Sequence, residues 1–422
     1  IQDHPLRYAL ANELHARPFP VSAAPSTVAF IAIKQPVEAV ARDREADRTH
    51  LIDLLDRHGA THPQPGATHY SGKIGRHQLK WEQHTEFVTY TAFSDGVSSR
   101  PFDPTDFEVF PPDWLDAAPG QRITSVMVRV EPRPDAETIK RKLLDWFVPE
   151  SLAVSRVLDD AAVIAGDFRV DPAGHVRFVT YVSKGTSERR IGRIVQRLCE
   201  IETYKAMSML GFARVKSLAP QLGALDARLT DLMVKMTNEN AGAEETLPQL
   251  LATSAELESM AARSEFRFGA TGAYVAIVNQ RIAVLRERRF QGGQNFADFM
   301  TRRYDPAMRT VKSTEKRLQS LSDRAIRAAE LLRTRVDVQR SAQNQALLES
   351  MDRRADLALR LQHTVEGLSV VAISYYAVSL AGYLLYPLTG FGISKGTLIA
   401  LITPPVVAGV WFAIRRIHRQ FS

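Results

Sequence analysis

Two uncharged runs near the C-terminal end constrain this chain more than any other feature of it. Between Glu366 and Lys395 lies GLSVVAISYYAVSLAGYLLYPLTGFGIS, and between Lys395 and Arg415 lies GTLIALITPPVVAGVWFAI. The hydrocarbon core of a bilayer is about 30 Å thick, which about 20 apolar helical residues cross. Each run meets that length. The expectation is a transmembrane hairpin, with Tyr383, Tyr386 and Trp411 near its ends as interfacial aromatics. A buried soluble hairpin is the competing reading, and it has to explain two such runs separated only by a turn. Pro404 and Pro405 remove backbone donors from the second run and should kink it.

Charge sets the expected orientation. Arg353, Arg354 and Arg360 precede the hairpin, Arg415, Arg416 and Arg419 follow it, and the turn carries only Lys395. Positive residues stay inside, so both termini and everything before the hairpin should be cytoplasmic, with the turn from Leu388 to Thr397 facing outward. The one cysteine, Cys199, agrees with a reducing compartment and excludes an intrachain disulfide or a cysteine-based metal site. With 45% hydrophobic and 24% charged residues the 422-residue chain is folded rather than disordered, and it is long enough for two or three compact units. The excess of 54 Lys and Arg over 47 Asp and Glu is too mild to imply nucleic acid as a partner. Because the chain starts at Ile1 rather than Met, further sequence is expected before it.

Residues 1 to about 185 read as an α+β domain. STVAFIAIK (Ser26 to Lys34) is a strand, Val37 to His58 a charged helical stretch, and Gly66 to Phe93 alternates as two or three antiparallel strands. A connector with Pro101, Pro104, Pro111, Pro112 and Pro119 reads as a surface loop holding Trp114. ITSVMVRVEP is a further strand, DAETIKRKLLDWFV a helix opened by Asp135, and AAVIAGDFRVDPAGHVRFVTYVS a hairpin about Asp171 to Gly174. From Thr186 the apolar spacing becomes helical, with breaks near Asn238 to Gly242 and Gln291 to Gly293, which gives three long helices. No proline interrupts the chain between Pro306 and Pro387, so the third helix could extend on the order of 120 Å. Val311, Leu318, Leu321, Ala325, Leu332, Val336, Leu347, Leu357, Leu361 and Val365 give it a near-heptad seam, open to antiparallel packing within one chain or to an oligomer. Asp226 to Glu265 holds eight acids against three bases, and Arg302 to Arg360 fourteen bases against eight acids. Anionic headgroups, an ion pathway, packing of the basic helix on the acidic one, or a solvated face each account for that segregation.

Few residues announce chemistry. In the first apolar run Ser369, Tyr376 and Tyr383 recur at sevenfold spacing with Ser379 and Tyr386 beside them, a polar stripe that fits either a narrow pore or hydroxyls bonding between helices. Glu366 stands at the cytoplasmic mouth of that stripe, where it would attract cations or simply occupy the headgroup zone. Eight of the eleven histidines fall within the first 84 residues: His4, His15, His50, His58, His62, His69, His77 and His84. Their spacings form no familiar ligand set, which leaves metal binding unassigned. In NELHARP, Glu13, His15 and Arg17 with the nearby His4 fit an acid-base or anion site, or else a terminal segment docking onto the domain. GFGISKGT in the turn has its Lys before the Gly and no strand leading into it, so it is no phosphate loop. The absence of GxSxG, phosphate-loop and dinucleotide fingerprints makes an enzyme the weaker class, and no cofactor is expected.

The segments HPLRYALANELHARPFP (His4 to Pro20), FADFMTRRYDPAMRT (Phe296 to Thr310) and NQALLESMDRRADLALRLQHTVEGLSVVAISYY (Asn344 to Tyr376) resemble an uncharacterised bacterial family of membrane-anchored proteins, the DUF3422 domain of unknown function. More distantly, the order of an α+β domain, a long helix, two closing spans and a basic tail looks like the CorA magnesium channel and its ZntB zinc-transport relatives. That resemblance implies a bacterial inner-membrane homo-oligomer, a pentamer by analogy, with lipid as partner and a divalent cation as substrate or ligand. CorA proteins place Gly-Met-Asn at the outer end of the first span, where this chain has Tyr386, Pro387, Leu388, Thr389 and Gly390, so the selectivity site does not carry over. The expected layout is an α+β cytoplasmic domain over 1–185, a long α-helical coiled-coil stalk over 186–363 and a two-helix transmembrane hairpin with a basic tail over 364–422. The expected function is a CorA-like oligomer that conducts or senses cations, and the alternative is a non-transporting membrane-tethered scaffold whose cytoplasmic domain recruits a partner.

Overall fold

The structure, a computed structural model, describes residues 2–8, 11, 19–36, 41–237, 242–387 and 394–421, the last five of these by backbone alone. The chain divides into two compact units, Ile1–Glu239 with Pro248–Ala329 and Asn240–Leu247 with Glu330–Ser422.

The first unit is built on one sheet. In chain order the strands are β1 (Ser26–Lys34), β2 (His69–Ile74), β3 (His77–Gln83), β4 (Val88–Asp95), β5 (Gln121–Pro132), β6 (Ala153–Val157), β7 (Ala162–Val170), β8 (Val176–Val182) and the two-residue β9 (Arg288–Arg289). Their order across the sheet is β2-β3-β4-β1-β5-β8-β7-β6-β9. Neighbours are antiparallel except β5 and β8, which run parallel. β1 is central and almost wholly buried, as a strand covered on both faces must be, and this explains why it reads as a continuous apolar run rather than an alternating one.

One face packs Ala29, Ile31, Ile33, Leu79, Trp81 and Tyr90 against α1 (Arg44–Arg57), the short α2 (Pro112–Asp116) and α3 (Ala136–Trp146). Asp43 caps α1 by accepting from Glu45 N and Ala46 N, and Asp135 caps α3 by accepting from Thr138 N at 2.9 Å, which fixes where each helix starts. Trp114 corrects the sequence reading. Expected in a surface loop, it is fully buried, because the Pro-rich connector folds as a 3₁₀ turn (Pro104–Phe107) and α2 and lays Phe107, Phe110 and Trp114 under the sheet. Trp114 and His50 lock reciprocally: the indole Nε1 donates to His50 O at 2.9 Å, His50 Nε2 bonds Trp114 O at 2.9 Å, and the rings stack at 3.9 Å. Nearby, Arg42 and Asp47 form a salt bridge that is almost completely buried, with Gln35 Nε2 donating to Asp47 at 3.2 Å.

The opposite face is covered by α4 (Glu188–Thr237), which packs against β1, β5 and β8. The remaining helices are α5 (Ala243–Ala283), α6 (Phe296–Arg303), α7 (Asp305–Leu384) and α8 (Lys395–Phe421). Cross-links give the directions within the unit. Arg281 pairs with Glu200 and Arg228 with Glu256, so α5 runs antiparallel to α4, whereas Ser208 to Tyr304 (2.7 Å) and Asp226 to Arg317 (2.5 Å) make α7 parallel to α4. Gly211 lets α4 and α5 approach, since a Cβ there would overlap Thr271 Oγ1. Part of the segregated charge is thereby accounted for: Arg317 and Arg324 of α7 meet Asp226 of α4. Of the expected seam, Val311, Leu318, Leu321, Ala325, Leu332 and Val336 are buried, while Leu347, Leu357, Leu361 and Val365 are exposed.

Candidate functional site

Within the second unit, the end of α7 and Lys395–Arg416 of α8 are long and apolar enough to cross a membrane, with mean hydropathy of 1.5 and 2.0 over their best 18-residue windows. Pro404 and Pro405 lie inside an α8 that continues past them. Gly382 of α7 faces Ile399 of α8, its ideal Cβ lying 4.0 Å from Ile399 Cγ1, so the missing side chain brings the two helices close. Around that approach is a cleft of about 780 Å³. Of the five residues expected to line a pore, Ser379, Tyr383 and Tyr386 line this cleft, and Ser369 and Tyr376 do not.

The hydroxyls are largely spent on their own helix. Ser369 Oγ donates to Val365 O at 2.8 Å and Ser379 Oγ to Tyr375 O at 2.9 Å, which satisfies each locally and leaves the acceptor capacity of the oxygen as the only polar offer to a neighbour. Ser374 and Tyr375, which the sevenfold spacing passed over, also line the cleft, and Ser374 Oγ is buried with no hydrogen-bond partner among the described residues. The signal that finds Ser374 is its spacing of four and eight from Val378 and Gly382, the face on which the helices meet. Among the described residues Lys395 is the one charged side chain in the lining. Glu366 is held on its own helix, accepting from Gln362 Nε2 at 2.9 Å and lying 3.6 Å from His363 Nδ1.

The other expected sites are dispersed or lie outside what is described. His4 is exposed and its Nδ1 accepts from Leu6 N at 3.2 Å, while Glu13, His15 and Arg17 lie outside the described residues. Three of the other described histidines are engaged by neighbouring side chains. His62 pairs with Asp56 at 2.6 Å, His77 Nδ1 bonds Ser94 Oγ at 2.6 Å, and the buried His50 bridges Tyr90 and Trp114. Burial pushes the His50 imidazole below the usual range, and the carbonyl of Trp114 only partly offsets this. Among the described residues no three His, Cys, Asp or Glu side chains are gathered so as to hold a metal ion.

The first unit contributes a polar pocket of about 200 Å³ between β3, β4 and α4. The register Lys80↔Thr91 and Glu82↔Thr89 puts four polar side chains on the sheet face that α4 covers. Lys80 Nζ lies 3.1 Å from Glu82 and 3.4 Å from Gln196 Oε1, Gln196 Nε2 donates to Glu200 at 2.7 Å, and Arg281 closes the far side on Glu200. Cys199 forms part of the wall, and burial drives its thiol far above the usual range, which disfavours the thiolate. Each cation has its own carboxylate, which suits reversible binding of a small polar solute better than proton transfer. Reading polar alternation as solvent exposure hides this pocket in the sequence, because it is the long α4 that makes the face internal.

The model of one family matches residues 2–421. The chain belongs to the DUF3422 family of proteins of unknown function. No curated protein and no solved structure matches it, and these comparisons lend the expected CorA-like layout no support.

Proposed function

We propose that this DUF3422 protein is a membrane-anchored binding protein: α7 and α8 cross the bilayer as a hairpin, the turn between them faces outward, and the first unit works in the cytoplasm on a soluble partner or solute. What carries the reading is the state of the two apolar windows, of which only 6% is buried. Leu368, Val371, Leu380, Leu384, Leu401 and Phe412 all stand exposed along them. In water each such side chain forgoes about 1.5–3 kcal/mol of burial, whereas in lipid each is at home. Arg415 over the Trp411 ring, at 4.9 Å, is the pairing expected where a span leaves the bilayer.

The function proposed is binding rather than catalysis, since the pocket cations are paired and the one thiol is buried. A cation-conducting homo-oligomer, the pentamer of the CorA analogy, has less behind it: among the described residues the cleft lining holds Lys395 and no carboxylate, and two serines of the stripe are bonded to their own helix. Topology tests the proposal. Because Cys199 is buried, a cysteine introduced at Ser394 or Ser422 reports almost alone. The expected result is labelling of S394C by an impermeant maleimide on intact cells and of S422C only after lysis. Labelling of both from outside, or of neither before lysis, contradicts it.

A further inference from the structure

At the end of β1 and the start of β5, where α4 and α5 pass alongside, lies an open cleft of about 650 Å³. Its lining brings together Lys34, Arg122, Arg214, Arg263 and Arg267, with no acidic side chain among the described residues that line it. Elsewhere in the first unit the arginines are mostly consumed: Arg42 by Asp47, Arg129 by Glu131, Arg281 by Glu200 and Arg317 by Asp226. Here Arg122, Arg214 and Arg263 form no ion pair among the described residues, and Arg214 Nε has only Ser264 Oγ at 3.3 Å. The fold brings the five together from four elements, so no local run of basic sequence reveals them.

The cleft is also braced. Arg267 is gripped through both terminal nitrogens by Glu86, whose carboxylate is buried and also accepts from Tyr274 Oη at 2.8 Å. A guanidinium fixed in that way is a preset wall rather than a mobile surface charge. Beside it Phe266 stands 44% exposed in the lining, with the Arg267 guanidinium 5.5 Å from its ring centroid. Grouped cations repel, and an anion seated among them relieves the repulsion while accepting planar, two-pronged hydrogen bonds that arginine offers to phosphate. The volume fits an organic ligand rather than a bare ion.

We propose that this cleft is a binding site for a phosphate-bearing small molecule, the phosphates held by Arg122, Arg214 and Arg263 and an apolar or planar moiety laid on Phe266. A nucleoside di- or triphosphate meets both requirements, and a lipid phosphate meets them with its glycerol and acyl carbons on the ring. The proposal goes beyond membrane anchoring and stands or falls independently of it. Low desolvation supports it further: Arg122 and Arg263 are exposed, so they reach a soluble anion without rearrangement.

The test is isothermal titration calorimetry on the full chain in a neutral detergent, with ATP free of magnesium, inorganic pyrophosphate, dihexanoylphosphatidic acid and citrate as probes. The expected result is saturable binding of at least one organic phosphate, tighter than pyrophosphate and much tighter than citrate, with ATP against the lipid deciding the source. Arg122→Ala with Arg263→Ala should weaken it about tenfold or more, since each removes a charge-assisted contact, and Phe266→Ala should erase the advantage over pyrophosphate. Exposed and without an ion pair among the described residues, both arginines can be replaced without changing the thermal midpoint, which checks that the variants fold. No phosphate probe binding at millimolar concentration, equal binding of citrate, or binding undiminished in the double variant would each overturn the assignment.

Discussion

Trp114 and Trp411 sit in the two units and meet opposite fates. Trp114 is fully buried against His50, Tyr90 and Phe110, whereas Trp411 is 50% exposed beneath Arg415. The contrast extends to their surroundings: the first unit hides its apolar side chains on both faces of a sheet and pairs its buried charges, while the second leaves leucines, valines and aromatics uncovered along two helices. On the proposed reading one chain follows two solvent rules, water for the sheet and lipid for the two apolar helices. The lesson is that exposure has to be read against the medium each region is built for.

Several substitutions break or sharpen that contrast. In the first unit, Trp114→Ala should cost about 3–5 kcal/mol of stability, since it empties the aromatic cluster and orphans His50 O, and chemical denaturation of the detergent-solubilised chain measures it. Arg42→Ala should cost a similar amount, about 3–5 kcal/mol, by stranding the buried Asp47 carboxylate, whereas Arg42→Ala with Asp47→Asn should recover much of the loss. In the second unit, Leu380→Arg should leave the denaturation of the sheet unchanged and oppose membrane insertion by about 2.5–3.5 kcal/mol, read as a shift of protein from the membrane pellet. The same change in a soluble hairpin would be nearly neutral, because Leu380 is exposed.

Smaller effects follow from titration and from surface pairs. Burial holds His50, His77 and His175 below the ordinary histidine range, so each is neutral in the fold and takes up a proton more readily when unfolded. Their contribution is fully present above the unfolded value of about 6.5 and is lost as pH falls below it. The thermal midpoint of the first unit should therefore drop between pH 7 and pH 5, and His50→Gln should flatten that slope. Arg317→Ala, which removes a partly exposed pair with Asp226, should cost only about 0.2–1 kcal/mol and less at high salt.

How far the sequence revealed all this depended on whether a feature was local. β1, β5, the β7–β8 hairpin, the capped start of α3 and the long uninterrupted α7 were legible because each is written in contiguous residues. β6 and β9 were not: β9 is two arginines that pair with Ser155 and Arg156 only because the chain returns there after α5. Trp114 was misjudged because prolines signal a loop, yet Phe107, Phe110 and Trp114 at spacings of three and four already carried the pattern of one buried face. The polar pocket and the basic cleft were invisible, since Lys80 with Gln196, and Arg122 with Arg263, meet only through the tertiary fold. Along the hairpin the apolar runs were plain, but sevenfold spacing selected Ser369 and Tyr376, whereas the helices meet on the face of Ser374, Val378 and Gly382.

The most direct test of the central claim is where the full chain goes when cells are fractionated and the membranes washed with alkaline carbonate. Two bilayer-crossing helices predict that the protein stays in the washed pellet and is released only by detergent. Its appearance in the carbonate supernatant, monodisperse without detergent, would mean that the exposed faces of α7 and α8 are covered by protein and would contradict the anchor.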